Sequence, residues 1–241
     1  MGKRLIDVTV SSVTLVLLLP IFLLLAIVIK ATSPGPVFYR GVRIGRGGKP
    51  FRVFKYRSMV VNAERIGGSS TSDDDLRITR VGRFLRKYKL DELPGLINVV
   101  PGDMSLVGPR PEVAHYVSMY TEEEKVILTV RPGLTDWATL WNSDEGAVLE
   151  GSEDPERVYL ERIRPIKIAL QLKYVRDQSF WVDLQIFGQT LAAVIFRMKP
   201  KAIEEIKPST GERHGRSQRD GESICRLLDG RLSNDGENSP L

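Results

Sequence analysis

Two adjacent carboxylates, Asp91 and Glu92, stand in the run Leu90-Asp91-Glu92-Leu93-Pro94, close behind the cations Arg86, Lys87 and Lys89. Pro94 suits a first helical turn, where its missing N–H is not needed. The run therefore predicts a helix starting near Asp91, with both acids at its positive end. Dipole and cations then keep the pair ionised, with lowered pKa values. An ionised carboxylate among cations can act as a nucleophile or as a ligand for a hard metal ion. Two such acids can equally do no more than stabilise a helix start, as first-turn acids usually do.

A second candidate is Arg110. Pro109 and Pro111 bracket it, pre-setting the backbone and holding the guanidinium on a stiff loop. A fixed planar fork suits phosphate oxygens or a base edge, although a proline-rich turn with a solvated arginine reads the same way. The chain has 241 residues, a net charge of +5 and a pI near 9.3, which point to an anionic partner. A single cysteine, Cys225, excludes an intramolecular disulfide framework and fits a reducing compartment. Two histidines make an ordinary zinc site a poor reading, so any metal should be a hard cation on carboxylate and phosphate oxygens.

The elements that must position these groups begin with 22 uncharged residues, Val8 to Ile29. As a helix they would measure about 33 Å, enough to span a bilayer. Pro20 lies near the middle and should kink or break the helix. Lys3 and Arg4 precede the stretch and Lys30, Arg40 and Arg43 follow it, so both ends can lie on one face. A helix–break–helix that enters and leaves one leaflet accounts for this better than a straight span. A cleaved signal peptide is rejected, because the apolar run is too long and Lys30 adjoins the one small-residue site, Ala31.

Ser33-Pro34-Gly35-Pro36 turns the chain. Residues 37–40 and 51–56 read as short strands about the glycine-rich turn 45–48. Seven cations and no acid lie between Val37 and Arg57, a cluster that should attract headgroups or phosphates. Gly48-Lys49 is not a nucleotide P-loop, since Arg43 and Pro50 replace residues that loop requires. Asn62 to Asp75 reads as a mobile loop with a solvated Asp73-Asp74-Asp75. Arg80 to Tyr88 reads as a helix burying Val81, Phe84, Leu85 and Tyr88, and delivering Arg86 to the acid pair. Thr121 to Glu124 has the form of a capping box opening a helix to about Thr129, and Arg131 to Trp137 reads as a rigid turn. Asp154-Pro155 caps a helix that Pro165 interrupts and Ile166 to Asp177 resumes. Phe180 to Phe196 is mostly apolar and is expected against the core, with the headgroup layer as the other setting.

Five motifs occur in order: Ser33-Pro34-Gly35-Pro36-Val37-Phe38; Phe54-Lys55-Tyr56-Arg57-Ser58-Met59; Leu90 to Pro94; Gly102 to Pro111; and Arg131-Pro132-Gly133-Leu134-Thr135. Together they resemble the bacterial sugar transferases, the monotopic polyprenyl-phosphate phosphoglycosyl transferases, in their minimal catalytic form, from about Lys3 to Phe196. The resemblance implies transfer of a sugar 1-phosphate from a UDP-sugar to undecaprenyl phosphate, with release of UMP, as the first membrane step of glycan assembly. It implies that Asp91 is the nucleophile of a covalent phosphosugar intermediate and that Glu92 orients or polarises. Both would help hold Mg²⁺. It further implies that Lys55 and Arg86 lie near the phosphates, that Arg110, between Pro109 and Pro111, contacts the uridine nucleotide, and that Pro20 breaks a re-entrant helix. The implied setting is one leaflet of the bacterial inner membrane, with the active site on its cytoplasmic face.

The expected fold is α+β and helix-dominated, with a re-entrant membrane helix, a short β-hairpin and amphipathic interfacial helices. Its divisions are a membrane-embedded part (1–32), a catalytic part (33–198) and a disordered tail (199–241). The chain departs from the family pattern at Leu19, where serine is common, and at Asp136, where glycine is common; the stretch 142–163 also looks longer than in compact members. Three rival readings compete with this one. A membrane-tethered basic protein binding nucleic acid or lipid lacks a recognisable motif, and nucleic acid is not expected as a partner. A glycosidase needs carboxylates facing each other across a sugar, about 5–9.5 Å apart, whereas neighbours on one helix diverge. A non-catalytic scaffold is the third. The sugar donor and any homo-oligomer are left open by the sequence.

Overall fold

The computed structural model describes residues 2–66, 71–142 and 145–196. The tail expected from residue 199 lies outside them. Helices dominate, with six short strands among the described residues.

Helices α1 (Gly2–Leu17) and α2 (Leu19–Thr32) meet at Leu18 with a bend of 63°. Pro20 falls in the first turn of α2, where it fits a helix start but cannot continue the preceding one. No single helix among the described residues is long and apolar enough to cross a membrane; the bent pair passes by length and composition.

Strands β1 (Phe38–Tyr39), β2 (Val42–Ile44), β3 (Pro50–Arg52) and β4 (Lys55–Tyr56) form the expected hairpin, antiparallel as β1–β4 and β2–β3. Its tip is a 3₁₀ turn, Arg46–Gly48, with Gly47 and Gly48 at positive φ. The basic run divides here. Arg57 is buried and donates to the carbonyls of Pro34 (2.6 Å) and Ser33 (2.8 Å), so the proline-rich turn wraps around it. Gly35, at φ 117°, is needed there, because a Cβ would overlap that guanidinium.

Of the loop expected over 62–75, residues 67–70 lie outside the described residues, and α3 (Ala63–Ile66) takes up its start. The Asp triplet is not uniformly solvated: Asp75 pairs with Arg77 at 2.6 Å. Helix α4 (Arg80–Lys87) is capped by Thr79, whose hydroxyl accepts from the Gly82 N–H. Leu85 is fully buried, but Phe84 and Tyr88 are exposed and contact each other with ring centroids 4.7 Å apart, contrary to the burial expected of them. The helix is only eight residues long, and its packing onto α2 covers too narrow a face for all four.

A 3₁₀ turn over Leu90–Gly95 leads into α5 (Leu96–Val99). Strand β5 (Ser105–Val107) follows, then α6 (Ala114–Val117), a 3₁₀ turn at Glu124–Thr129 and β6 (Gly133–Thr135). The capping box forms as expected: the Glu124 N–H donates to Thr121 Oγ1 and the Thr121 N–H to Glu124 Oε2. Residues 133–135 are a strand rather than a turn, paired in parallel with β5. The chain beyond β5 approaches β6 so closely that a Cβ on Gly133 would overlap the Gly108 backbone.

Helices α7 (Trp137–Trp141), α8 (Glu145–Leu149) and α9 (Pro155–Val158) precede a π-helical turn, Tyr159–Ile163, and α10 (Arg164–Asp177). Asp154 caps α9 as expected, but Pro165 does not interrupt the helix: it sits in the first turn of α10, where its missing N–H is absorbed by the π-helical turn before it. The main core joins Leu106, Val107, Trp137, Leu140, Leu170, Tyr174 and Ile186. A second cluster, Phe22, Ile29, Tyr56 and Leu85, joins the bent helix to the hairpin and α4. Helix α11 (Phe180–Phe196) lies against the core as expected, but only along one narrow stripe, where Val182 and Phe187 pack beside Ile186. Ile186 is its one buried residue, while Trp181 and Phe196 are 73% and 70% exposed.

The N-terminal cations do not simply flank an apolar stretch. Lys3 donates to the Val107 carbonyl (3.0 Å) and pairs with Asp183; Arg4 donates to the carbonyls of Val99 (2.6 Å) and Val100 (2.7 Å). Buried Asp7 accepts from the Ser105 hydroxyl at 2.7 Å and the Leu106 N–H at 3.2 Å. The first turns of α1 are thus bolted to β5 and to the end of α5.

Candidate active site

The acid pair does not open an α-helix. After α4 the chain turns through Lys89 in the left-handed region, φ 55°, a conformation that costs a non-glycine residue about 1 kcal/mol. The tight 3₁₀ turn that follows presses Leu90–Gly95 against β4 and α4. Asp91 is pushed inward to 8% exposure, and Glu92 points at the hairpin and the Arg110 loop.

Glu92 is saturated with cations. Lys55 donates to Oε1 at 2.9 Å, and Arg110 forks onto both oxygens, Nη1 to Oε2 at 2.8 Å and Nη2 to Oε1. Burial pushes its carboxyl up, but the charges and hydrogen bonds of Arg110 and Lys55 prevail and hold it well below the usual carboxylate range. Burial also pulls the Lys55 ammonium down, with Glu92 opposing and Arg110 adding to the fall.

Asp91 behaves oppositely. Burial, and then the charge of Glu92, raise its pKa, against the fields of Lys55, Arg86 and Lys89. The expectation that both acids are lowered therefore holds for Glu92 and fails for Asp91. Desolvation outweighs cations that reach Asp91 only through space. Its Oδ1 is buried with no hydrogen-bond partner among the described residues. Orphaned buried acceptors are uncommon and cost about 1–3 kcal/mol, so they tend to persist where chemistry needs them.

Of the expected site residues, Lys55, Asp91, Glu92 and Arg110 come together. Arg86, partly buried on α4, acts on Asp91 by its field, without a hydrogen bond among those described. Pro109 and Pro111 flank Arg110, and their work is to stiffen its loop. Pro20 belongs to the helix bend and not to this cluster.

Asn98 carried no signal beyond its place in an apolar run. It is 2% exposed, accepts from the Phe54 N–H at 2.8 Å and donates to the Arg52 carbonyl at 2.9 Å, fixing the strand that carries Lys55. Asp7 was hidden likewise, by a partner 98 positions away.

No group of three or more metal-donor side chains occurs among the described residues. Mg²⁺ commonly uses one or two carboxylates and completes its shell with water and substrate phosphate. The unpartnered Asp91 oxygen beside Glu92 fits that need.

A buried carboxylate with a free oxygen, a cation-locked neighbour and an apolar bent helix beside them suit phosphoryl chemistry at a lipid surface. The bacterial sugar transferase family model matches residues 1–197. The chain belongs to this family. It is 36% identical over 196 residues to the Aeromonas hydrophila UDP-N-acetylgalactosamine-undecaprenyl-phosphate N-acetylgalactosaminephosphotransferase, covering 80% of this chain and 43% of that protein. It is 38% identical over 194 residues to the Klebsiella pneumoniae UDP-glucose:undecaprenyl-phosphate glucose-1-phosphate transferase, covering 78% and 39%. The Caulobacter vibrioides protein of the same description is 39% identical over 196 residues, covering 80% and 69%. The matched region spans about two fifths of the first two relatives and about two thirds of the third.

Proposed function

We propose that this chain is a phosphoglycosyl transferase that moves a sugar 1-phosphate from a UDP-sugar to undecaprenyl phosphate and releases UMP. The observation that carries the reading is the buried Asp91 carboxylate, with one oxygen unpartnered, beside a Glu92 locked by Arg110 and Lys55. The activities for which the three relatives above are named support it.

In the first half-reaction an Asp91 oxygen attacks the phosphorus that bears the sugar. The bridging P–O bond breaks and UMP leaves with the bridging oxygen and the bonding pair. A phosphosugar is left as a mixed anhydride on Asp91. In the second half, an oxygen of the lipid phosphate attacks the same phosphorus and the Asp91 carboxylate departs, so no proton is gained or lost overall. Splitting the transfer in two lowers each barrier. Lys55, Arg86 and Arg110 supply fixed positive charge for phosphate oxygens, and the Glu92–Arg110 fork holds the guanidinium ready. Asp91, through its unpartnered oxygen, would hold Mg²⁺ together with substrate phosphate, Glu92 joining it where Lys55 and Arg110 turn to the phosphates, and the ion would neutralise phosphate charge.

The bent pair α1–α2 enters and leaves one leaflet of the inner membrane from a first turn that Lys3, Arg4 and Asp7 hold on the catalytic part, and that part lies on the cytoplasmic face. The exposed aromatics of α4 and α11 lie at headgroup level, where a lipid phosphate is met. The test is UMP release by the protein in nanodiscs with Mg²⁺, undecaprenyl phosphate and a panel of UDP-sugars. Asp91→Asn should lower sugar-dependent release by at least about 10³-fold, and intact mass should find a phosphosugar on the native chain alone. Release of UDP would replace this reading with ordinary glycosyl transfer.

A further inference from the structure

Asp136 is fully buried, and among the described residues none of its hydrogen bonds comes from a cation. Burying a carboxylate on neutral donors alone is expensive. One of its oxygens acts locally. Oδ1 accepts from the Thr139 N–H and the Thr139 hydroxyl, both at 2.7 Å, and so caps α7. Serine, threonine or asparagine would cap as well. The second oxygen does something a plain cap does not. Oδ2 reaches across to the loop after β5 and accepts from the Arg110 N–H at 3.1 Å. It also accepts at 3.3 Å from Gln171 Nε2 on α10, and that same amide nitrogen donates to the Arg110 carbonyl, again at 3.3 Å.

Both peptide groups of Arg110 are therefore gripped, its N–H by Asp136 and its carbonyl by Gln171. Pro109 and Pro111 fix φ on either side, and Pro111 also keeps the Arg110 backbone out of the helical region. Both neighbours of the Gln171 amide are acceptors, so only its NH₂ can face them; its Oε1 is accordingly left buried and unpartnered. The Oδ2 side of the network converges on a single residue, the arginine whose guanidinium forks onto Glu92.

From this geometry we infer that Asp136, seconded by Gln171, is a positioning residue for Arg110: it fixes the loop from which the guanidinium reaches Glu92 and, in turn, substrate phosphate. The inference rests on the placement of Arg110 in the site proposed above. The perturbation that isolates it is Asp136→Asn. Its remaining oxygen can still cap α7, but its NH₂ then faces the Arg110 N–H and the Gln171 NH₂, donor against donor. A flip of Gln171 relieves one clash only by abandoning the Arg110 carbonyl.

The experiment is a double-mutant cycle on UMP release in nanodiscs, using D136N, R110A and the pair, with thermal unfolding of each. D136N is expected to lower kcat/KM about tenfold, equivalent to about 1.4 kcal/mol. In the R110A background the same substitution should change kcat/KM less than about twofold, because there is no guanidinium left to misplace. An equal loss in both backgrounds would mean a merely structural role and would overturn the inference. Should D136N fail to fold, Gln171→Met removes the second grip at similar volume. It should show a smaller loss with the same non-additivity, and a loss that persists in R110A again overturns the inference. If R110A alone leaves kcat/KM unchanged, the placement of Arg110 in the site is what has failed; the D91N control separates that outcome from an inactive preparation.

Discussion

Asn98→Ala tests whether the hairpin that carries Lys55 is held by one side chain. Asn98 is almost completely buried, and its amide serves the Phe54 N–H at 2.8 Å and the Arg52 carbonyl at 2.9 Å. Alanine strands one backbone donor and one backbone acceptor, each costing about 1–3 kcal/mol if water cannot reach it. Because the Phe54 and Arg52 groups lie at the edge of the core, a total in the lower half of that range, about 2–4 kcal/mol, is expected. For a chain of this size that lowers the unfolding midpoint by about 4–16 °C. The assay is thermal unfolding in detergent followed by tryptophan fluorescence, for which buried Trp137 is a suitable reporter. Asn98→Asp sharpens the test. Its carboxylate still accepts from Phe54 but opposes the Arg52 carbonyl at neutral pH. On acidification the protonated form can donate there, so the deficit relative to the native chain should shrink as pH falls. A midpoint within about 2 °C of the native value for N98A, or a pH-independent deficit for N98D, would refute the reasoning.

Gly82→Ala should destabilise the chain by about 1–3 kcal/mol, because the new Cβ would overlap the Ser58 carbonyl oxygen and force α4 off the strand end; chemical denaturation measures it. Glu112 supplies a pH test. Burial pushes its carboxyl up, but Lys167, at 2.5 Å, prevails and holds it below the ordinary glutamate value. A depressed carboxylate contributes stability that is present above its unfolded pKa and is lost as pH falls through the folded one. Thermal midpoints should therefore decline below about pH 4.5, and Glu112→Gln should flatten that decline while lowering the midpoint at neutral pH. Asp7→Ala should cost about 2–4 kcal/mol, since it strands the Ser105 hydroxyl and the Leu106 N–H in the core; Asp7→Asn, which keeps one acceptor, should cost less in the same thermal assay.

What the sequence displays is local chemistry. The helix break at Pro20, the capping box at Thr121 and the cap at Asp154 each depend on neighbours within a few positions, and each forms. What it hides is set by distant partners. The parallel pairing of 105–107 with 133–135 joins two segments that look like rigid turns, because each is only three residues long and rich in glycine and proline nearby. The sign of the Asp91 shift is hidden for a related reason. Cations nearby in sequence suggest a lowered pKa, whereas the fold buries the carboxyl and commits the closest cations to Glu92. Phe84 and Tyr88 fit a helical stripe, but a stripe does not say whether its far edge meets protein or an apolar surface.

The same long-range contacts explain why the bent helix cannot be regarded as a detachable anchor. Lys3, Arg4 and Asp7 contact Val107, Val99 and Ser105, the ends of the two elements that lead into Arg110 and away from Asp91. Just past the bend, the Tyr56 hydroxyl donates to the Phe22 carbonyl at 2.9 Å, one residue from Lys55, and Ile29 farther along α2 joins Tyr56 and Leu85 in one buried cluster. The bent pair therefore grips both sides of the site, the strand that precedes Arg110 and the strand that carries Lys55. Its 63° bend sets the separation of those grips. A straight helix of the same length would carry its second half away from the hairpin, and the Lys55–Glu92–Arg110 cluster would lose one wall. The proline break thus serves the geometry of the charged site as well as the placing of the apolar segment, and the two roles are inseparable in this fold.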